Sequence, residues 1–132
     1  MKITSKCSCS GSPDLLFCCS GAADTAEIGD RAVRLLHKAK DAKMFCLAGI
    51  AGGVELIMTN TQAAGRLIVV DGCDSDCAKL TMEKSGFTGF SHFRVTDLGW
   101  EKGKTPVTEE RITEAAERLR QILAAAPVSA EA

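Results

Sequence analysis

The chain has no tyrosine and a single tryptophan in 132 residues. So few aromatic side chains leave little on which the bases of a single-stranded nucleic acid would stack. A dominant charge is missing too: 16 Lys and Arg face 17 Asp and Glu, a formal net charge of −1. That balance provides no electrostatic footprint for nucleic acid. No basic amphipathic stretch points to a membrane surface, and no apolar run approaches the roughly 20 residues that span a bilayer. The opening MKITSKCSCSGSPD is polar and has no secretory h-region. These absences lead to the expectation of a cytoplasmic protein that engages neither nucleic acid nor membrane.

Two nucleotide signatures are also absent. Gly49, Gly52 and Gly53 would let backbone approach a phosphate, but neither GxGxxG nor GxxxxGK occurs. A phosphatase loop of the C-x5-R type fails as well, because Thr25 stands where an arginine would follow Cys19.

What the chain does have is cysteine, seven in all. In a reducing compartment an odd set argues against a disulfide framework and for metal binding or thiol chemistry. With 45% hydrophobic residues, a chain of this length builds a core without such staples.

Strand-like and helix-like patterns alternate. Leu15 to Cys18 is a short apolar run ended by Ser20-Gly21. Asp24 is placed as an N-cap with Glu27 at the capping-box position, before a helix with Ile28, Ala32, Leu35, Leu36 and Ala39 on one face. Lys43 to Ala48 reads as a second strand and Val54 to Asn60 as a short helix. Leu67 to Val70 is the clearest strand. Asp74 or Ser75 then caps a helix running to about Lys84. Phe90 to Thr96 is a fourth strand. After a polar loop from Trp100 to Val107, Thr108-Glu109-Glu110 opens a last helix with Ile112, Ala116, Leu119 and Leu123 in one stripe.

This alternation predicts an α/β domain over residues 14–126: a small three-layer open sheet of about four mainly parallel strands with helices on both faces. Residues 1–13 read as a cysteine-containing arm and 127–132 as a tail. A strand order of 2-1-3-4 follows by analogy with flavodoxin-like sheets.

In such sheets ligands bind outside the carboxyl ends of the strands. Cys19 lies past the first strand, Cys46 near the end of the second and Cys73 after the third, with Cys77 in the first turn of the next helix. Four cysteines thus converge on one edge. Four thiolates form a closed tetrahedral zinc shell, and such soft ligands also suit iron or an iron–sulfur cluster. The spacing is not the paired C-x2-C of zinc knuckles, so burial as small core residues stays open. So does a thiol redox or sulfur-transfer enzyme using Cys19 or Cys73 with Cys77 as resolving thiol.

Cys19-Ser20-Gly21, FCLAGIAGG (45–53), IVVDGCDSDCAK (68–79) and VTDLGWEKGKTPVTEERI (95–112) together resemble the DGC-domain family. That family is named for its Asp-Gly-Cys motif and described as zinc-binding. The resemblance covers roughly residues 14 to 123. It implies zinc as the cofactor and Cys19, Cys46, Cys73 and Cys77 as the ligands. It implies no reaction. Asp74 stands where the family often has proline, and aspartate still permits a helix start.

The other candidates carry less. Cys7 and Cys9 form a C-x-C that adds ligands or stays in solvent. Strand alternation turns Cys18 away from Cys19 and into the core. Asp71 and Asp97 end strands at the functional edge, as supports for the cysteines or as ordinary turn residues. His37 and Lys79 read as solvated. His92 falls too early in its strand to reach a site. An exposed Trp100 would favour an interaction module.

Overall fold

A computed structural model describes residues 12–125. Cys7, Cys9, most of the arm and the tail lie outside the described residues. Four strands form one sheet: β1 (Asp14–Cys18), β2 (Lys43–Met44), β3 (Arg66–Asp71) and β4 (Ser91–Arg94). The order is β2-β1-β3-β4 and every pairing is parallel. The α/β class, the open sheet and the 2-1-3-4 order are as the sequence predicts.

Parallel neighbours need crossovers: α1 (Asp24–Lys38) lies between β1 and β2, α2 (Leu47–Ala51) and α3 (Glu55–Gln62) between β2 and β3, and α4 (Cys77–Lys84) between β3 and β4, while α5 (Glu109–Ala124) follows the last strand. Strand alternation divides the core in two. Leu16, Cys18, Ile68 and Val70 pack with Ile28, Leu36 and Leu119 of α1 and α5. Leu15, Phe17 and Val69 pack on the other face with Ile50, Ala78 and Met82 of α2 and α4. Each fully buried aliphatic side chain of this kind contributes about 1.5–3 kcal/mol relative to exposure. No helix of the described residues is long and apolar enough to cross a membrane.

The boundaries depart from expectation where distant contacts win. The second strand stops at Met44. Phe45 N–H still donates to Leu16 O at 2.8 Å, but Cys46 turns the chain and caps α2, its Sγ accepting from Gly49 N–H at 3.2 Å. Ala23, not Asp24, is the cap residue of α1. Glu27 closes no capping box and pairs with Arg31 at 3.1 Å. Leu35, expected in the apolar stripe, is exposed, and Val33 takes the buried place. The fourth strand ends at Arg94 and passes into a 3-10 turn, Val95–Leu98. Thr108 caps α5 as expected, its hydroxyl accepting from Arg111 N–H at 3.2 Å. Such a cap is worth about 1 kcal/mol.

One close approach ties the end of β3 to the start of α1. A Cβ built on Gly72 would stand 2.5 Å from the backbone nitrogen of Ala26. The chain leaving β3 therefore lies directly against the start of α1, and only glycine fits. Gly72→Ala is expected to lower stability by about 1–3 kcal/mol, as overpacking does, read as an earlier urea midpoint. An unchanged midpoint would show that the turn moves aside freely.

Candidate functional site

The chain leaves β1 for β2 on one side and reaches β3 on the other, so the sheet's switch point lies between β1 and β3. That crevice is where open α/β sheets bind ligands. Cys19 continues the β1 ladder, its N–H donating to Val70 O at 3.1 Å. Gly72 and Cys73 leave β3 beside it.

A recess of about 460 Å³ opens there, lined by Cys19, Cys73 and Cys77 together with Gly72, Asp76 and Lys102. A second, of about 720 Å³, is lined by Cys19, Cys46, Arg34 and Phe45 among others. Cys19 is common to both, so the four predicted cysteines line two adjoining hollows at one sheet edge. Cys19 and Cys73 are half-buried; Cys46 and Cys77 are exposed. No three of these sulfurs come within 4.8 Å of one another. A tetrahedral zinc–thiolate shell needs sulfurs about 3.8 Å apart, from bonds of about 2.3 Å.

Cys19 differs from an ordinary thiol. Its pKa is lowered to about 6. The Cys18 thiol contributes most, and the N–H groups of Gly21 and Gly72 add to it against the opposing effect of burial. They act as polar neighbours rather than as short, well-aligned hydrogen bonds. Cys18 is pushed the other way, well above the usual thiol value, first by Cys19 and then by its own burial. Cys18 is a core residue, as alternation predicts, and it also supports its neighbour's anion. The Lys102 ammonium lies 3.9 Å from Cys73 Sγ.

The loop carrying Lys102 is fastened by Asp24. Its carboxylate accepts from Gly103 N–H at 2.9 Å and Thr105 N–H at 3.0 Å, and these donors, Gly103 first, hold its pKa down. Within the loop the Thr105 hydroxyl donates to Glu101 O at 2.7 Å.

Asp71 is buried and acts on α4 from outside it. Its two oxygens accept from Ala78 N–H at 2.7 Å and Lys79 N–H at 3.1 Å, satisfying helix-start donors that otherwise lack partners. The formal cap residue, Asp76, is left-handed at φ 56° and makes no capping bond with its side chain. It is held instead by Arg94, Nε to Oδ1 and Nη2 to Oδ2, both at 2.7 Å. That bidentate pair lowers the Asp76 pKa. Neither Asp74 nor Ser75 caps α4.

His92, expected to miss the site, lies at it. Its Nε2 is 2.8 Å from Asp71 Oδ2 and 3.8 Å from Asp76 Oδ1. Both Asp71 oxygens already accept, so the ring nitrogen donates. Asp71, Asp76 and His92 are the group of possible metal-binding side chains, among the described residues, whose ligand atoms lie within 4.8 Å of one another. Asp97 is exposed in the 3-10 turn and lines a neighbouring hollow with Cys73, Arg94 and Trp100. Trp100 is half-buried, with the Arg111 guanidinium 5.9 Å from its ring centroid. His37 is exposed, yet its Nδ1 accepts from Met44 N–H at 2.9 Å.

The DGC-domain family model matches residues 15–119. The chain belongs to the DGC-domain family. The turn from Asp71 to Cys73 is the DGC motif itself, its aspartate capping α4 and its glycine packed on α1. Over 95 residues the chain is 27% identical to the anaerobic and virulence modulator AnvM of Pseudomonas aeruginosa, covering 69% of this chain and 72% of that protein. No solved structure matches.

In metal-free protein, alkylation of Cys19 should rise with pH through a half-point near 6, because the thiolate is the nucleophile. It should be almost fully developed at pH 7. Cys18→Ala removes the main support and should move the half-point upward. An unmoved half-point in that variant would refute the role given to Cys18.

Proposed function

We propose that this DGC-domain protein is a metal-binding protein. Zinc would be held by thiolates of Cys19, Cys46, Cys73 and Cys77 at the carboxyl edge of the sheet. The observation that carries this reading is the sharing of Cys19 between the two hollows, with Cys73 and Cys77 on one side and Cys46 on the other. The donor set fits a soft or borderline cation. Cys19 is poised as a thiolate at neutral pH, so it would bind without first losing a proton. Gathering the sulfurs asks for movement of the cysteine side chains, and for Cys46 the loss of its capping bond from Gly49 N–H.

Bound zinc would supply charge stabilisation and cross-linking of β1, α2 and the DGC turn. Four thiolates leave no open position, so a structural, sensing or metal-handling role follows rather than hydrolysis. The relative's description as a modulator accords with sensing.

A thiol redox or sulfur-transfer reading is favoured by one observation, the lowered pKa of half-buried Cys19 beside Cys73 and Cys77. The two readings separate in one experiment. Anaerobically purified full-length protein should contain about one zinc per chain by elemental analysis, as a single site of four thiolates holds. Cys19→Ser or Cys73→Ser should lose it, and a chelator should unmask thiols. Metal-free protein with one fast-reacting thiol, untouched by chelator, would replace the metal reading with the thiol one.

A further inference from the structure

Four polar side chains around the DGC turn, Asp71, Asp76, His92 and Arg94, form a hydrogen-bonded network that includes no cysteine side chain. Asp71 caps the α4 amides of Ala78 and Lys79. His92 donates to Asp71 from the neighbouring strand β4. Arg94, two residues along β4, grips both oxygens of Asp76. Asp76 sits immediately before Cys77 in a left-handed conformation, which a non-glycine residue holds only when its surroundings impose it. The registers agree: His92 lies opposite Val69 and Arg94 opposite Asp71 in the β3–β4 pairing.

A metal site at these three ligand groups is the rival reading of the cluster. Asp76 is occupied by a guanidinium on both oxygens, and Asp71 already serves two amides and an imidazole. A cation there would also stand beside the Arg94 charge. The network therefore holds structure rather than an ion.

We infer that His92 and Arg94 are positioning residues. Acting through Asp71 and Asp76 from β4, they preset the turn that carries Cys73 and the helix start that carries Cys77. The inference rests on the proposed thiolate metal site for its purpose, and on the hydrogen bonds alone for its mechanics. Cys73 and Cys77 bracket the turn, Asp71 and Asp76 pin its two ends, and both pins are fastened to one strand. Supporting groups of this kind commonly alter metal affinity by about 10–100-fold when removed, although they touch no metal.

The test uses the full chain and zinc as the probe, in competition with a chromophoric chelator, beside amide hydrogen exchange of metal-free protein. His92→Leu is expected to weaken zinc binding about tenfold or more. It should also speed exchange at Ala78 and Lys79 while leaving α5 amides such as Leu119 protected. His92→Gln keeps a donor and should restore both. Arg94→Met, with Arg94→Lys as its partial rescue, provides a second pair should the first variant fold poorly.

Unchanged zinc affinity or unchanged exchange at Ala78 and Lys79 would overturn the inference. So would an equal loss of protection in α5, which marks general destabilisation. If wild-type protein binds no zinc, the metal reading fails separately. The inference then stands or falls on the exchange pattern and on faster alkylation of Cys73 and Cys77, but not Cys46, in His92→Leu.

Discussion

The parallel pairing of β1 with β3 is the constraint on which the rest depends. It runs in register from Asp14–Arg66 to Cys18–Val70. The pairing continues one step further through Cys19 N–H to Val70 O. Residues more than fifty positions apart in sequence thereby end side by side. β2 adds to the outer edge of β1 and β4 to the outer edge of β3, so the crevice between the central strands is the switch point where side chains converge. Gly72 makes the pairing tight on the helix side too, because no side chain fits between it and Ala26.

Carboxylates do much of the fastening around that crevice, and each does it across the fold. Asp71 reaches from the end of β3 to the start of α4, and Asp24 from α1 to the loop that carries Lys102. A buried carboxylate is costly unless its oxygens are satisfied, and Asp71 meets three donors. Cys18 and Cys19 show how strand alternation serves chemistry. One thiol goes into the core and its neighbour to the edge, and their proximity stabilises charge on the outer sulfur at the expense of the inner. Thiolate at the edge is useful to a metal site and to a nucleophile alike, which is why the cysteine geometry supports both readings.

The sheet is legible in the sequence because its signals are local. Apolar runs ending in Ser-Gly or Asp-Gly mark β1 and β3, and Thr108 with acidic residues after it marks α5. The placement of Cys19 and Cys73 follows from the ends of β1 and β3, and that of Cys77 from the helix start behind Cys73. What the sequence hides is long-range. Asp24 resembles a cap because it precedes an amphipathic helix, yet it binds amides about eighty residues away. Cys46 resembles the end of a strand because KMFCLA is apolar, yet an edge strand with one neighbour yields easily to a helix start. Counting along its strand sets His92 aside. The stagger between β3 and β4, invisible in one sequence, puts it beside Asp71. A histidine and an arginine two apart on one strand, facing the two aspartates that flank the DGC cysteine, is the signal that would find it.

Metal coordination by sulfur at the sheet edge is the central claim, and X-ray absorption at the zinc edge tests it most directly. Protein loaded with one equivalent of zinc should show a shell of sulfur scatterers at about 2.3 Å that loses amplitude in Cys19→Ser. A shell of light oxygen or nitrogen atoms alone, unchanged by that substitution, would contradict it.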